Sequence, residues 1–325
     1  MASLAPLPFT TSARPFLADG GLETTLLFKK GLSLPLFASF PLLDDPASYK
    51  TMSDCYAEYI KLAVQHKTGI VLESSTWRSS LPWIRKLGYP DSKVGETSSR
   101  AVDMLKELRK EYETEDTKVV ISGCLGPLGD AYKTTSATEE RDDFTRQLDA
   151  ALASYRPQVD AFATSGVDLV SVMTVSLLPE AVAAVLLAKE HRLPIWVSPT
   201  LETNGRLRDG STLAQFIEAV DRHTSSYAAY YGINCAHPTH FIAMLKELPE
   251  DELWVKGRIW EVRANASEKS HDELDECEDL DRGDPRELGS LYRELMGLLP
   301  SLRVLGGCCG TDEEHICEIA KVVLR

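Results

Sequence analysis

Asp168-Leu169-Val170-Ser171-Val172-Met173-Thr174 is followed by an alanine- and leucine-rich run from Glu180 to His191, and then by Ile195-Trp196-Val197-Ser198. The outer runs, Leu169–Met173 and Ile195–Ser198, are short and almost free of charge, as parallel strands buried on both faces are. The middle run is built from good helix formers. Strand, crossover helix and parallel strand make the repeating unit of an α/β fold.

The same alternation extends in both directions. Upstream, strands are expected at Phe16–Ala18, Gly69–Leu72 and Val119–Ser122. Downstream they are expected at Tyr230–Ile233, Leu253–Val255 and Leu302–Leu305. Eight strands separated by helices predict a closed (β/α)8 TIM barrel, which uses about 250 residues as one domain. One such domain over residues 1–325 is expected, and an open doubly wound sheet is the alternative. No internal repeat stands out beyond the βα alternation. Ser136/Glu139 and Thr311/Glu314 have capping-box spacing. Pro238 fits the first turn of a helix, and Pro157 is expected to divide the helical stretch between Thr138 and Ala163.

The 325 residues carry 35 basic and 49 acidic side chains, a net charge of −14. That balance repels nucleic-acid phosphates and anionic lipid. No run is long and apolar enough for a membrane span, and the first residues lack the pattern of a secretory signal. A cytoplasmic protein without nucleic-acid or membrane partners is expected. Its seven cysteines are odd in number and irregular in spacing, which suits reduced thiols or metal ligands better than a disulfide scaffold. Glu268 to Asp284 is acidic and nearly free of apolar residues, so an acidic loop insertion at about 266–285 is expected to be mobile. On a barrel it falls at the catalytic face, where a lid or partner-binding role is the alternative to a solvated insertion.

The strongest chemical signal is Leu305-Gly306-Gly307-Cys308-Cys309-Gly310-Thr311, placed between an expected strand and an expected helix. Its glycines permit tight turns that bring both sulfurs toward one point. Cys235 ends another expected strand, in Gly232-Ile233-Asn234-Cys235. Strands six and eight of a barrel end on the same face, so three thiolates can meet there. Three soft ligands suit Zn2+ and leave a fourth position open, the mark of a catalytic site. A thiol entering that position ionises, which matters because the free thiol, pKa ~8.5, is mostly protonated at neutral pH. Apolar filler cysteines and a Cys308–Cys309 redox pair are the competing readings. Cys55, Cys124 and Cys317 are expected to be fillers, and Cys277 to be exposed.

With Asp19-Gly20-Gly21-Leu22-Glu23-Thr24 and Gly126-Pro127-Leu128-Gly129 added, the chain resembles the homocysteine S-methyltransferase family from about Phe16 to Leu324. The resemblance implies zinc on Cys235, Cys308 and Cys309. It implies homocysteine as acceptor and in-line attack of its sulfur on an activated methyl group. A small donor is expected, S-methylmethionine or S-adenosylmethionine ahead of betaine. It places Asp19, Gly20 and Gly21 at the amino-acid end of the substrate, where glycine amides at a helix start suit a carboxylate. Glu73-Ser74-Ser75-Thr76-Trp77 matches a segment near the substrate. There Glu73 would pair with an ammonium, Thr76 would bind substrate, and Trp77 would face a cationic donor. Asn234 would support the metal or hydrogen-bond the substrate.

Two departures qualify the resemblance. Met173 stands where the family has the glutamate that holds the substrate amino group, and methionine accepts no charge-assisted hydrogen bond from an ammonium. Arg263-Ala264-Asn265-Ala266 replaces a Tyr-Pro-Asn-Ser-type run. Methylation of another thiol or a selenol, or a non-catalytic zinc barrel, therefore stands beside homocysteine methylation as a reading.

Overall fold

A computed structural model describes residues 6–131, 144–228, 230–275 and 279–324. Strands β1 (Phe16–Ala18), β2 (Ile70–Glu73), β3 (Val119–Leu125), β4 (Leu169–Val175), β5 (Ile195–Pro199), β6 (Tyr230–Asn234), β7 (Ile259–Ala264) and β8 (Val304–Gly307) pair in chain order into a closed barrel. Every pair is parallel, and β8 closes on β1 through Phe16–Val304 and Leu17–Leu305. Closure decides against the open sheet.

Helix α1 (Pro8–Thr11) precedes β1. Helix α2 (Leu22–Thr24) follows it and runs into a π-turn at Thr25–Lys29. The outer layer continues with α3 (Pro46–Gln65), α4 (Leu81–Lys86), α5 (Lys93–Tyr112), α6 (Phe144–Ser165), α7 (Leu178–Glu190), α8 (Leu213–Thr224) and α9 (Pro238–Lys246). It ends with α10 (His271–Asp275), α11 (Pro285–Leu298) and α12 (Glu313–Val323). Among the described residues, no helix is long and apolar enough to cross a membrane.

The barrel interior changes character along its axis. Phe16, Val71, Val120, Leu169, Trp196 and Val304 fill the N-terminal end. Phe9 of α1 plugs that end, with its ring 5.6 Å from Trp196 and 5.5 Å from Tyr230. Higher up, the inward positions are polar: Ser122, Ser171, Ser198 and Glu261 are all fully buried. Chemistry is thereby confined to the C-terminal end, where the strands deliver their last side chains.

Several expectations need correction. Leu253–Val255 is no strand. It lies in a 3-10 turn at Glu250–Gly257, with Leu253 45% and Trp254 36% exposed. The seventh strand is Ile259–Ala264, which an apolar-run criterion misses because Glu261 and Arg263 face the polar interior while Val262 and Ala264 join the helix-facing core. The α12 capping box is Asp312–His315 rather than Thr311–Glu314, because the Thr311 hydroxyl is committed to the Cys308 carbonyl at 2.7 Å. Helix α6 runs unbroken through Pro157. One lost backbone bond is tolerated there because Tyr155, Gln158, Val159 and Phe162 anchor both sides of the proline in the core. The Ser136/Glu139 pair lies outside the described residues.

Where it is described, the acidic stretch has helical and hydrogen-bonded parts. It contains α10, and Asp281 accepts from Ser267 at 2.9 Å. Arg282 pairs with Asp312 and Glu314, and Asp284 caps α11. Cys277 lies outside the described residues.

Candidate metal centre

Cys235 follows the end of β6, and Cys308 and Cys309 follow β8. Their sulfurs all lie within 4.8 Å of one another, the one such group of three metal-ligating side chains among the described residues. Cys235 Sγ is 3.7 Å from Cys309 Sγ. Zinc–sulfur bonds of about 2.3 Å in a tetrahedron require sulfurs about 3.8 Å apart, so the spacing suits a shared cation. It is far too long for a disulfide, and none of the three cysteines is in one. Hydrogen bonding to Cys235 and burial push the Cys308 thiol up to about 12. Three ionised sulfurs do not share this buried space unless a cation offsets their charge.

The backbone that carries these sulfurs is tightly held. Cys235 has φ +58°, an unusual conformation for a residue other than glycine, and it turns the side chain back toward β8. Its N–H donates to Arg263 O at 3.0 Å, and its carbonyl accepts from Asn265 at 3.1 Å and Thr200 at 3.2 Å. Cys308 N–H donates to Ala264 O at 2.8 Å, and Ala266 N–H donates to Cys309 O at 3.0 Å. Tyr292 of α11 bridges the two strands below, donating to Val262 O and Gly306 O and accepting from Ala264 N–H. Gly21 comes so close that a Cβ there would sit 2.4 Å from Cys308 O.

The sulfurs open onto a cavity of about 580 Å³. Asp19, Gly20, Gly21, Glu73, Trp77 and Asn234 line it, as do Met173, Arg263, His271 and Leu274. At its floor the Arg263 guanidinium meets three carboxylates. Nε donates to Glu261 at 2.6 Å, Nη1 to Asp19 at 2.8 Å and Nη2 to Glu73 at 3.4 Å. Ser171 donates to the other oxygen of Glu73 at 2.5 Å. Burial pushes Asp19 and Glu73 above the ordinary carboxylate range against the opposing charge of Arg263, and it pushes Glu261 up to about 8.

The Homocysteine S-methyltransferase family model matches residues 16–323. The chain belongs to the homocysteine S-methyltransferase family. Among curated proteins, homocysteine S-methyltransferase YbgG of Bacillus subtilis is 24% identical, over 97% of this chain and 96% of its own. The Escherichia coli homocysteine S-methyltransferase is 24% identical over 71% of this chain and 73% of its own. Among solved structures, the metallated form of the homocysteine methyltransferase MmuM from Escherichia coli shares the fold. Its TM-score is 0.69 at 18% identity, covering 95% of this chain and 96% of that one.

Within this homocysteine S-methyltransferase, the residues anticipated at the site fare differently. Gly21 N–H is already donated to Thr311 O at 3.1 Å, and Gly21 is the cap position of α2. Glu73 pairs with Arg263 rather than standing free. Thr76 is fully buried beside the cavity without lining it, and its hydroxyl donates to Cys124 O at 2.7 Å. Trp77 does line the cavity, with the Arg78 guanidinium 4.9 Å from its ring. Gly126 leaves room for that indole, since a Cβ there would lie 2.6 Å from its Cδ1 and 2.2 Å from the Trp77 carbonyl oxygen. Asn234 exchanges two 2.7 Å hydrogen bonds with Thr174, and its Nδ2 stands 3.9 Å from Cys308 Sγ.

Sequence reasoning missed Arg263, Glu261 and Tyr292 as parts of the site. A signal for the first two was present: two charged side chains alternating with apolar ones in Trp260-Glu261-Val262-Arg263-Ala264. Cys124, expected as filler, also lines the cavity.

Proposed function

We propose that this chain transfers a methyl group from a small sulfonium donor, S-methylmethionine or S-adenosylmethionine, to the sulfur of homocysteine, with zinc held by Cys235, Cys308 and Cys309. The observation that carries this reading is the convergence of three thiols from two barrel strands on the wall of an open cavity. Bound zinc would supply the positive charge that lets an entering thiol ionise at neutral pH.

The chain's own residues do the rest. Asp19 and Glu73 carry negative charge at the cavity floor and attract an amino group. Asn234 sits against Cys308 and steadies the sulfur side of the pocket. Trp77 offers an aromatic face to a cationic donor. In the reaction the substrate sulfur forms a bond to the methyl carbon as the donor's carbon–sulfur bond breaks, and the donor leaves as a neutral thioether. The thiol triad suits a reducing compartment such as the cytoplasm.

Met173 favours one further reading, an acceptor other than homocysteine, because it offers no charge where the family has a glutamate. A methyl-transfer assay decides between them. Homocysteine, other thiols and a selenol are supplied with each donor, with and without a chelator. Methionine formation abolished by the chelator supports the proposal. Turnover of another acceptor alone would transfer it to that acceptor. No turnover by zinc-loaded protein with any pair would leave a non-catalytic zinc barrel.

A further inference from the structure

The floor of the cavity holds one cation among three acids, and that arrangement does more than fill the barrel. The Arg263 side chain is 5% exposed, and its partners are scarcely more so: Asp19 6%, Glu73 9% and Glu261 0%. A buried guanidinium is costly unless it is paired, so this one stays where the carboxylates are. All three of its nitrogens already face a carboxylate, which leaves it poorly placed to receive a substrate carboxylate. Glu261 is reached by Arg263 through one oxygen, and its second oxygen has no hydrogen-bond partner among the described residues. Burial keeps Glu261 largely protonated at neutral pH. That leaves Asp19 and Glu73 sharing a single positive charge. The floor is therefore one cation short, next to a cavity into which both acids open. Met173 lines the same cavity and supplies nothing ionic.

We infer that Arg263 is the specificity-determining residue of the acceptor pocket: it binds Asp19 to Glu73 as one charged pair that captures the ammonium group of an amino-acid thiol, in place of an acid on β4. Arg263 is a positioning residue that touches no substrate. It draws the acid that follows β1 and the acid that ends β2 together from β7, and the Ser171 hydroxyl fixes the outer oxygen of Glu73. The inference rests on the thiol-acceptor reading above, and binding measurements keep the two separable.

The test is titration calorimetry of zinc-loaded protein, without methyl donor, against homocysteine and against 4-sulfanylbutanoate, the same chain without its amino group. Wild type is expected to bind homocysteine about 10- to 150-fold more tightly, the worth of a hydrogen bond to a charged group. Arg263→Gln is expected to erase most of that ratio by weakening homocysteine alone, with zinc content unchanged. Arg263→Lys should restore part of it. A merely structural role would weaken both thiols together. An unchanged ratio in Arg263→Gln overturns the inference. Should that variant not fold, Glu73→Gln decides, since it keeps Arg263 paired with Asp19 and Glu261; an unchanged ratio there overturns it equally. If wild type binds both thiols alike, the inference fails and the metal–thiol reading stands. If wild type binds neither, both fail.

Discussion

Cys235 and Cys309 lie 74 positions apart in the chain, yet their sulfurs stand 3.7 Å apart. The contact exists because β6 and β8 end on one face of a closed barrel and β7 between them supplies backbone partners to both. Purified protein is expected to hold about one zinc per chain. Serine at Cys235, Cys308 or Cys309 should remove it, as read by elemental analysis of dialysed protein. Full zinc occupancy in any of the three variants would count against the triad.

Gly21→Ala probes the support of that triad. The added Cβ would meet Cys308 O at 2.4 Å and Thr24 Oγ1 at 2.5 Å, so the carbonyl must move. Zinc affinity is expected to fall about tenfold or more, as for other outer supports of metal ligands. The readout is competition with a chromophoric chelator, with the far-ultraviolet spectrum held constant. Unchanged affinity would mean that the loop absorbs the clash elsewhere.

Glu261 predicts a pH dependence of stability. Burial, opposed by the charge of Arg263, pushes its carboxyl up to about 8. An acid whose folded pKa exceeds its unfolded value contributes stability in full below the unfolded value and loses it as pH rises through the folded one. Wild type should therefore weaken between about pH 5 and 8, by up to about 1.4 kcal/mol per pH unit. Glu261→Gln should flatten that slope. Urea melts across the range check it, and parallel profiles for the two proteins would refute the assignment.

Asp312 should behave with the opposite sign. Burial alone raises its carboxyl, but hydrogen bonds from His315 and Lys29 outweigh that and hold it far below its ordinary range. It caps α12 and receives Lys29 at 2.7 Å and Arg282 at 2.5 Å. The stability it contributes is present above the ordinary carboxylate pKa and is lost as pH falls through the depressed value. Asp312→Ala is expected to cost about 3 kcal/mol at pH 7. Denaturant midpoints at pH 7 and pH 3 measure it, and the difference between variant and wild type should shrink at the lower pH.

Phe9→Ala tests the plug. The ring is fully buried against Phe16, Trp196 and Tyr230 at the closed end of the barrel. Its removal is expected to cost about 3 to 5 kcal/mol, read as a lower thermal midpoint with zinc stoichiometry unchanged. A midpoint within a degree of wild type would show that α1 contributes nothing to the core.

Much of this protein was legible in its residues. Leu169–Met173, Ile195–Ser198 and Tyr230–Ile233 announce buried strands because none of them carries a charged side chain. The paired cysteines of Gly306-Gly307-Cys308-Cys309-Gly310 announce a candidate metal loop because few other needs bring two thiols into a glycine turn. The seventh strand escaped because half of it faces a polar interior, a property of the closed barrel and not of the segment. Arg263 escaped for the same reason. Its meaning lies in Asp19, Glu73 and Glu261, which reach it from β1, β2 and β7 only once the sheet has closed. Local sequence determines which segments can be strands or helices, through side-chain periodicity and backbone preference. Which charges share a buried space, and what they can then hold, was decided by closure alone, because electrostatic pairing acts through distances that the linear order does not contain.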